Sequence, residues 1–409
     1  MSNDVISPRT EISAIAFVAL SLAAFGSGVS QRVTDPLLPR LAADFSVTLG
    51  AASWVVTVFT IGYGLNQLFF GPLGDRFGKY HVIAWACLAC AGASLMCALA
   101  AGFNFLLLAR LVAGSMAAAV IPLAMAWIGD VVPYEKRQPV LARFLIGQIL
   151  GVSAGQLLGG LAADYWGWRI PFFLIAFGFL SVSALLFLMQ RRLPSHALHA
   201  TVNEGHALQR MWHEFGQVVQ VPWARVVMLT VFIEGASVFG AFAFFASHLH
   251  AVHGLSLSAA GSVVMLFGGG GFLFASGSST FVKKFGETGL ARWGGVVMFV
   301  SMMVFANAVY WAWAIPACFL TGLGFYMLHN TLQTNATQMA PARRGAAVSA
   351  FAACYFIGQS TGLALAGVTT AFVGTRGVIV VGGVGVLLVA LNFARLKAKL
   401  SMPSDGQKP

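Results

Sequence analysis

The chain has 409 residues, of which 58% are hydrophobic and only 9% charged. A soluble domain of this size needs roughly 25% charged residues to cover its surface, so a soluble globular protein is excluded. The net charge of +11 does not mark a nucleic-acid binder, because the basic residues sit in short stretches between apolar runs long enough to cross a hydrocarbon core about 30 Å thick.

Residues 1–12 are polar and have no signal-peptide layout, so they are expected to be a cytoplasmic N-terminal segment. The first apolar run, about 13–39, is too long for a signal-peptide core and lacks a small-residue cleavage site after it. It is the first of twelve predicted spans. It contains Arg32 and Asp35, three apart on one helical face. Asp35 either neutralises Arg32 or carries a proton or substrate charge. Low dielectric penalises a charged carboxylate, so such a group can be neutral in one state and charged in another.

Further spans of the first half are predicted at about 48–70, 82–101, 104–129, 139–163 and 169–190. Tyr63 and Gln67 are polar groups within span 2 and are candidates to line a substrate cavity. Between spans 2 and 3 lies Gly71-Pro72-Leu73-Gly74-Asp75-Arg76-Phe77-Gly78-Lys79, read as a short basic loop. Its glycines permit a tight reversal and close helix approach.

This segment resembles the signature between helices 2 and 3 of the major facilitator superfamily of secondary transporters. The resemblance implies an all-α membrane fold of twelve helices in two pseudo-symmetric six-helix halves. It also implies a gating role for Gly71, Gly74, Asp75, Arg76, Gly78 and Lys79. In that family the residue equivalent to Asp75 caps a helix end in the opposite half and pairs with an arginine, latching the outward-open state. Arg137 and Arg143 are the candidate partners here.

In span 3, Cys87 and Cys90 have CxxC spacing without a partner pair, and all five cysteines fall inside apolar runs. Neither a disulfide framework nor a metal site is expected. Arg110, in span 4, is costly to bury in lipid, by about 2.5–3.5 kcal/mol, and is expected to face the bundle interior and pair there. It resembles the family's helix-4 arginine–glycine motif linked to proton coupling, with Ala113 in place of the usual glutamine; the other reading is a structural ion pair. Span 5 carries Gly147, Gly151, Gly155 and Gly159 on one face, a ladder of small residues that lets helices pack closely. That ladder resembles the helix-5 motif of exporters in the drug:proton antiporter branch. Its usual Gly-Pro is Gly155-Gln156 here, so the groove is kept and the proline kink is not. The span-1 segment from Asp35 to Pro39 resembles a pattern of the same branch.

The stretch 191–223 is the only long polar segment and is read as a cytoplasmic linker between halves 13–190 and 224–395. Six more spans are predicted at about 224–250, 258–280, 291–309, 312–338, 345–373 and 376–395, before a cytoplasmic tail at 396–409. Glu234, near the middle of span 7, is a second candidate for proton coupling beside Asp35 and Arg110; the other reading is a structural hydrogen bond. His248, His250 and His253 at its end diverge too far for a metal site and are read as a solvated loop. In span 10, His329, Asn330 and Gln333 share a face and either line the cavity or bridge helices. Gln359 follows Gly358 as Gln148 follows Gly147. Gln148 and Gln359 are therefore candidate substrate ligands at equivalent places, together with Arg32, Tyr63, Gln67, His329, Asn330 and Gln333.

The halves align at an offset of 208: Phe77-Gly78 matches Phe285-Gly286, Gly114 matches Gly322, and Glu234 falls opposite Gly26. With both termini in the cytoplasm, 19 of the 24 basic residues lie inside, which sets the orientation. The expected protein is a proton-coupled secondary transporter exporting a small molecule by alternating access in the inner (plasma) membrane. An uptake symporter and a non-transporting sensor are the alternatives. It is not expected to be an enzyme, to hold a cofactor or metal, or to bind nucleic acid. Its expected partners are substrate, protons and the lipid bilayer, and the fold usually works as a monomer. No GxxxxGK[ST] loop is present for direct ATP drive. One acidic centre beside an arginine-rich path suits a neutral, zwitterionic or anionic solute as well as a cationic drug.

Overall fold

A computed structural model describes residues 14–194, 197–198 and 207–401. The expected N-terminal segment 1–12, parts of the linker and most of the tail lie outside the described residues. All regular elements described are helices. Ten segments are long and apolar enough to cross a membrane, but Leu257–Asn307 and Pro341–Leu400 hold 51 and 60 residues. At 1.5 Å per residue each would run about 75–90 Å, more than twice a bilayer core. Each is broken at a glycine outside helical geometry, Gly286 (φ 62, ψ 174) and Gly374 (φ 65, ψ 178). Divided at these glycines, the described residues supply twelve segments of membrane-crossing length.

Spans 1 to 6 are Ala14–Arg32, Leu49–Phe77, Lys79–Ala98, Phe103–Val131, Arg143–Trp166 and Ile170–Gln190. Span 7 is Pro222–His253, spans 8 and 9 divide at Gly286, span 10 is Trp311–Gln338, and spans 11 and 12 divide at Gly374. Gly78 and Gly286 turn the chain on one face, called here the basic face. Gly167, Gly254 and Gly374 turn it on the opposite, distal face.

One reading is corrected here. The segment from Gly71 to Phe77 is not a loop: span 2 stays helical through Phe77 despite Pro72, and the reversal is made by Gly78 alone (φ 89). Between the halves, Ala207–Gln220 forms a helix. Its apolar residues Leu208, Met211, Trp212, Phe215 and Val218 recur every three or four positions.

Glycines set the helix packing. A Cβ on Gly147, Gly151, Gly155 or Gly159 would meet the backbone carbonyl of Ser21, Phe25, Val29 or Val33, respectively. Spans 1 and 5 thus touch backbone to backbone at four successive turns. In the second half Gly358 and Gly362 lie on the carbonyls of Phe232 and Ala236.

These contacts fix the repeat register. Gly151 on Phe25 and Gly358 on Phe232 differ by 207, whereas Gly114 on Phe59 and Gly322 on Phe267 differ by 208. The 207 register also holds at the distal turns, where Arg169 donates to the Ala100 carbonyl and Arg376 to Asn307 Oδ1. Two expectations fall with it. Gln359 is equivalent to Val152, not to Gln148, whose counterpart is Tyr355. Glu234 stands opposite Ser27 rather than Gly26.

Candidate functional site

The helix of span 1 ends at Arg32. Pro36 has no N–H and disfavours helix at the residue before it, so residues 33–37 form a turn, and Asp35 N bonds back to the Arg32 carbonyl at 3.3 Å. This brings Arg32 Nη1 within 3.7 Å of Asp35 Oδ2. Gln156 Nε2, from span 5, donates to the same Asp35 oxygen at 2.9 Å. Arg32 Nη2 crosses to the other half and donates to Gln359 Oε1 of span 11 at 2.9 Å. Its guanidinium lies over the ring of Phe239, 4.0 Å from the centroid. In the 207 register Phe239 is the residue equivalent to Arg32, so the two meet at the pseudo-dyad.

A second ionisable pair sits in the other half. His329 Nδ1 of span 10 lies 2.8 Å from Glu234 Oε2 of span 7. The imidazole is packed by Tyr355 and Phe325, with ring centroids 4.6 and 5.0 Å away. Arg32 and Asp35 are 3% and 1% exposed, and Glu234 is fully buried.

Polar capacity is left over in both groups. Among the described residues, Arg32 Nη1, Asp35 Oδ1, Gln156 Oε1, Gln359 Nε2 and Glu234 Oε1 are buried with no hydrogen-bond partner. Each such atom costs about 1–3 kcal/mol when left unmatched, and native interiors rarely leave several together.

Arg110 is fully buried, but the expected ion pair is not what holds it. It donates to the Val55 carbonyl (3.2 Å), the Ser30 carbonyl (3.0 Å) and Thr34 Oγ1 (3.4 Å), and stacks on Phe59 at 4.1 Å. The end of the span 1 helix explains this, since its last carbonyls lack helical donors.

The remaining candidates divide. Tyr63 is buried beside Ser27 and Gln31 and packs on Phe356 of the other half at 4.2 Å. Gln67 keeps a buried Oε1 with no hydrogen-bond partner among the described residues. Gln148 and Gln333 are half-buried and Asn330 is exposed, and no hydrogen bond among the described residues ties their side chains to the cluster. His248 is not in a solvated loop: it is buried, with Nδ1 2.9 Å from Thr375 Oγ1.

On the basic face, Lys79 Nζ bridges Asp130 Oδ2 (2.6 Å) and Asp75 Oδ1 (3.4 Å). Asp75 is thus paired inside its own half, with Lys79 across the Gly78 reversal, rather than with Arg137 or Arg143. Arg137 donates to the carbonyls of Gly129 and Val132. In the 208 register Glu287 replaces Lys79, and it is held by Lys397 at 2.8 Å and Asn335 at 3.1 Å. The same position is kept with the charges exchanged.

The halves meet in the middle and on the distal face. Ser360 Oγ donates to Thr60 Oγ1 at 3.0 Å in the middle. Gly50 abuts Gly367, and Gly160 abuts Leu257. Asp164, at the end of span 5, accepts the backbone N–H groups of Leu257 (3.2 Å) and Ser258 (2.6 Å) at the start of span 8. A carboxylate there satisfies orphan donors and complements the helix dipole. Asp164, Gln156 and the Glu234–His329 pairing were not singled out from the sequence. Gln156 left a trace, as the residue replacing a motif proline.

The family profile described as Major Facilitator Superfamily matches residues 20–359. The chain belongs to the major facilitator superfamily. The MFS-type transporter YceJ of Bacillus subtilis (strain 168) is 26% identical over 84% of this chain and 86% of its own length. The Multidrug export protein EmrB of Escherichia coli (strain K12) is 29% identical over 37% of this chain, which is 30% of that protein's length. Among solved structures, a bacterial homolog to the human lysosomal transporter Spinster in an inward-facing, unoccupied conformation superposes with a TM-score of 0.76 at 18% identity, over 94% of this chain and 96% of that one. A point mutant of the nucleoside transporter NupG gives 0.75 at 14% identity, over 93% and 99%. Those two likenesses establish the fold. The chain is a multi-pass membrane transporter and not an enzyme.

Proposed function

We propose that this superfamily member is a proton-coupled secondary transporter that exports a small molecule by alternating access. The observation that carries the reading is the buried cluster Arg32–Asp35–Gln156–Gln359. It joins the two halves, contains an ion pair, and leaves donors and acceptors unmatched for a solute to meet. Asp35 and Glu234 are the proposed proton carriers. Arg110 is proposed to hold the end of span 1 in place beside Asp35. Arg32, Gln359, His329 and Tyr63 are the proposed substrate contacts. Export is supported by the glycine ladder of span 5 and by the partial likeness to EmrB, whose name states multidrug export.

In this reading the protein sits in the inner membrane with its basic face and both termini on the cytoplasmic side, following the distribution of Lys and Arg. The halves 13–190 and 224–395 rock about the central cluster as a monomer, joined by the linker 191–223. The state described here has its distal gate closed by Asp164, Gly160 and Gly50. Asp75, Arg76, Lys79 and the glycines Gly71, Gly74 and Gly78 are proposed to regroup across the halves when the basic face closes instead.

A second reading, proton-coupled uptake, is favoured by the Arg32–Asp35 pair. A proton on Asp35 releases Arg32 toward an anionic solute, so proton and solute bind in the same state. Purified protein in liposomes with a pH-sensitive dye in the lumen separates the two. A compound-dependent proton flux opposite to the compound marks export by antiport, and a flux in the same direction marks symport. Asp35→Asn or Glu234→Gln should abolish it. Wild-type flux in both variants would refute the coupling assignment.

A further inference from the structure

We infer that the substrate carries a single negative charge on a planar, largely apolar body, and that Arg32 and Gln359 together hold its acidic group. This rests on the reading of the buried cluster as the substrate site.

The first ground is charge. Two buried guanidiniums, Arg32 and Arg110, act on one carboxylate, Asp35. Arg110 is held by carbonyl and hydroxyl oxygens, which offset its hydrogen bonds but not its charge. The N-terminal side of the site therefore has one positive charge in excess. Across the interface Glu234 is hydrogen-bonded to His329 rather than to either guanidinium. A cationic solute approaching Asp35 would meet a guanidinium 3.7 Å from that carboxylate, and like charges at such range are strongly disfavoured in low dielectric. An anion neutralises the excess.

The second ground is the direction of the amides. Arginine has donors only, so Gln359 must turn Oε1 toward Arg32, and its Nε2 is left as a donor. Arg32 Nη1 and Gln359 Nε2 are both buried and lack hydrogen-bond partners among the described residues. They belong to two side chains locked together at 2.9 Å. Two donors carried by adjoining groups suit the two oxygens of a carboxylate, the acceptor that arginine binds best.

The third ground is the wall beside them. Phe239 lies under the guanidinium, Phe325 meets Phe239 edge-on at 5.2 Å, and Tyr355 meets Phe239 at 5.9 Å. Aromatic edges and faces of this kind favour a flat apolar body with few polar groups.

The test is equilibrium binding to the detergent-purified full chain by isothermal titration calorimetry. Three probes share one skeleton: 2-naphthoate, the neutral 2-naphthamide, and (2-naphthylmethyl)trimethylammonium. The acid should bind at least about tenfold more tightly than the other two, the range expected for charge-assisted hydrogen bonds. Gln359→Leu and the charge-balanced double variant Arg32→Gln/Asp35→Asn should each lose that preference, with folding checked by melting and size-exclusion profile. Tighter binding of the amide or the ammonium overturns the assignment of charge, while loss of their binding in the same variants would keep the cluster as the substrate site. Acid binding unchanged in both variants overturns the site itself. Absence of acid binding to the wild type refutes the substrate class, while the liposome flux assay judges proton-coupled transport separately.

Discussion

Removing the Asp164 carboxylate should open the distal gate. Asp164 belongs to span 5, and the two N–H groups it accepts, at 3.2 and 2.6 Å, belong to span 8 in the other half. The contact exists only while the distal ends are together, so its free energy enters the equilibrium between the two gate states directly. Hydrogen bonds to a charged group contribute about 1.5–3 kcal/mol each when buried, and the helix N-terminus adds about 0.3–1 kcal/mol. Asp164 is exposed, so solvent screening reduces the sum to about 1–2 kcal/mol. Asp164→Ala should therefore shift the balance toward the distally open state by about five- to thirtyfold. Spin labels on the exposed residues Ala101 and Val309, in the distal loops of opposite halves, would report this by double electron–electron resonance in lipid nanodiscs. The long-distance population should grow in Asp164→Ala. A distribution identical to that of the unsubstituted protein would refute the latch.

Three other outcomes follow from the same geometry. Gly160→Val places a side chain against the Leu257 carbonyl, so it should move the spin-label distances in the same direction and slow transport. Arg110→Lys keeps the charge but cannot reach Ser30, Val55 and Thr34 together. It should lower stability by about 2–4 kcal/mol, read as a drop in the melting temperature of the purified protein. Gly78→Ala should cost more than Gly286→Ala in the same measurement. Both sit at positive φ outside the left-handed helical well, where a Cβ costs about 1–3 kcal/mol, but a Cβ on Gly78 also comes within 2.9 Å of the Leu198 carbonyl, whereas Gly286 faces open space.

Membrane crossing and duplication were legible because both are carried by backbone-scale patterns: runs of apolar residues, and glycines where two helices touch. Even the span 5 ladder, read from spacing alone, corresponds to four carbonyl contacts with span 1. Gly71 to Phe77 misled because glycine and proline break helices in water. Within a membrane bundle neighbouring packing keeps such a segment helical, so the turn narrows to Gly78. The one-residue slip between the 207 and 208 registers was invisible for a different reason. Spans 1, 5, 7 and 11 follow one register and spans 2, 4, 8 and 10 the other, and no single offset aligns both. That slip is what placed Glu234 opposite Gly26, whereas Gln148 was set opposite Gln359 by a shared Gly-Gln dipeptide at an offset that neither register allows.

The site itself was legible as a set of residues but not as a set of partners. Arg32, Asp35, Glu234 and His329 are conspicuous as polar groups in apolar helices. Which of them meet depends on helix rotation, and Glu234 finds His329 across 95 positions of chain. What the repeat preserves is backbone contact, such as Gly114 on Phe59 beside Gly322 on Phe267. What breaks it is charge. Arg32 meets its own counterpart as a phenylalanine, Glu234 faces a serine, Lys79 becomes Glu287, and Arg110 becomes Cys318. A duplicated scaffold with symmetric chemistry would offer a solute two equal sites. Concentrating the arginines and one aspartate in the first half, and the glutamate–histidine pair in the second, makes one site with two unlike sides. Under the proposed proton coupling, rocking of the halves would change the distance between unlike charges and so tie movement of the fold to movement of a proton.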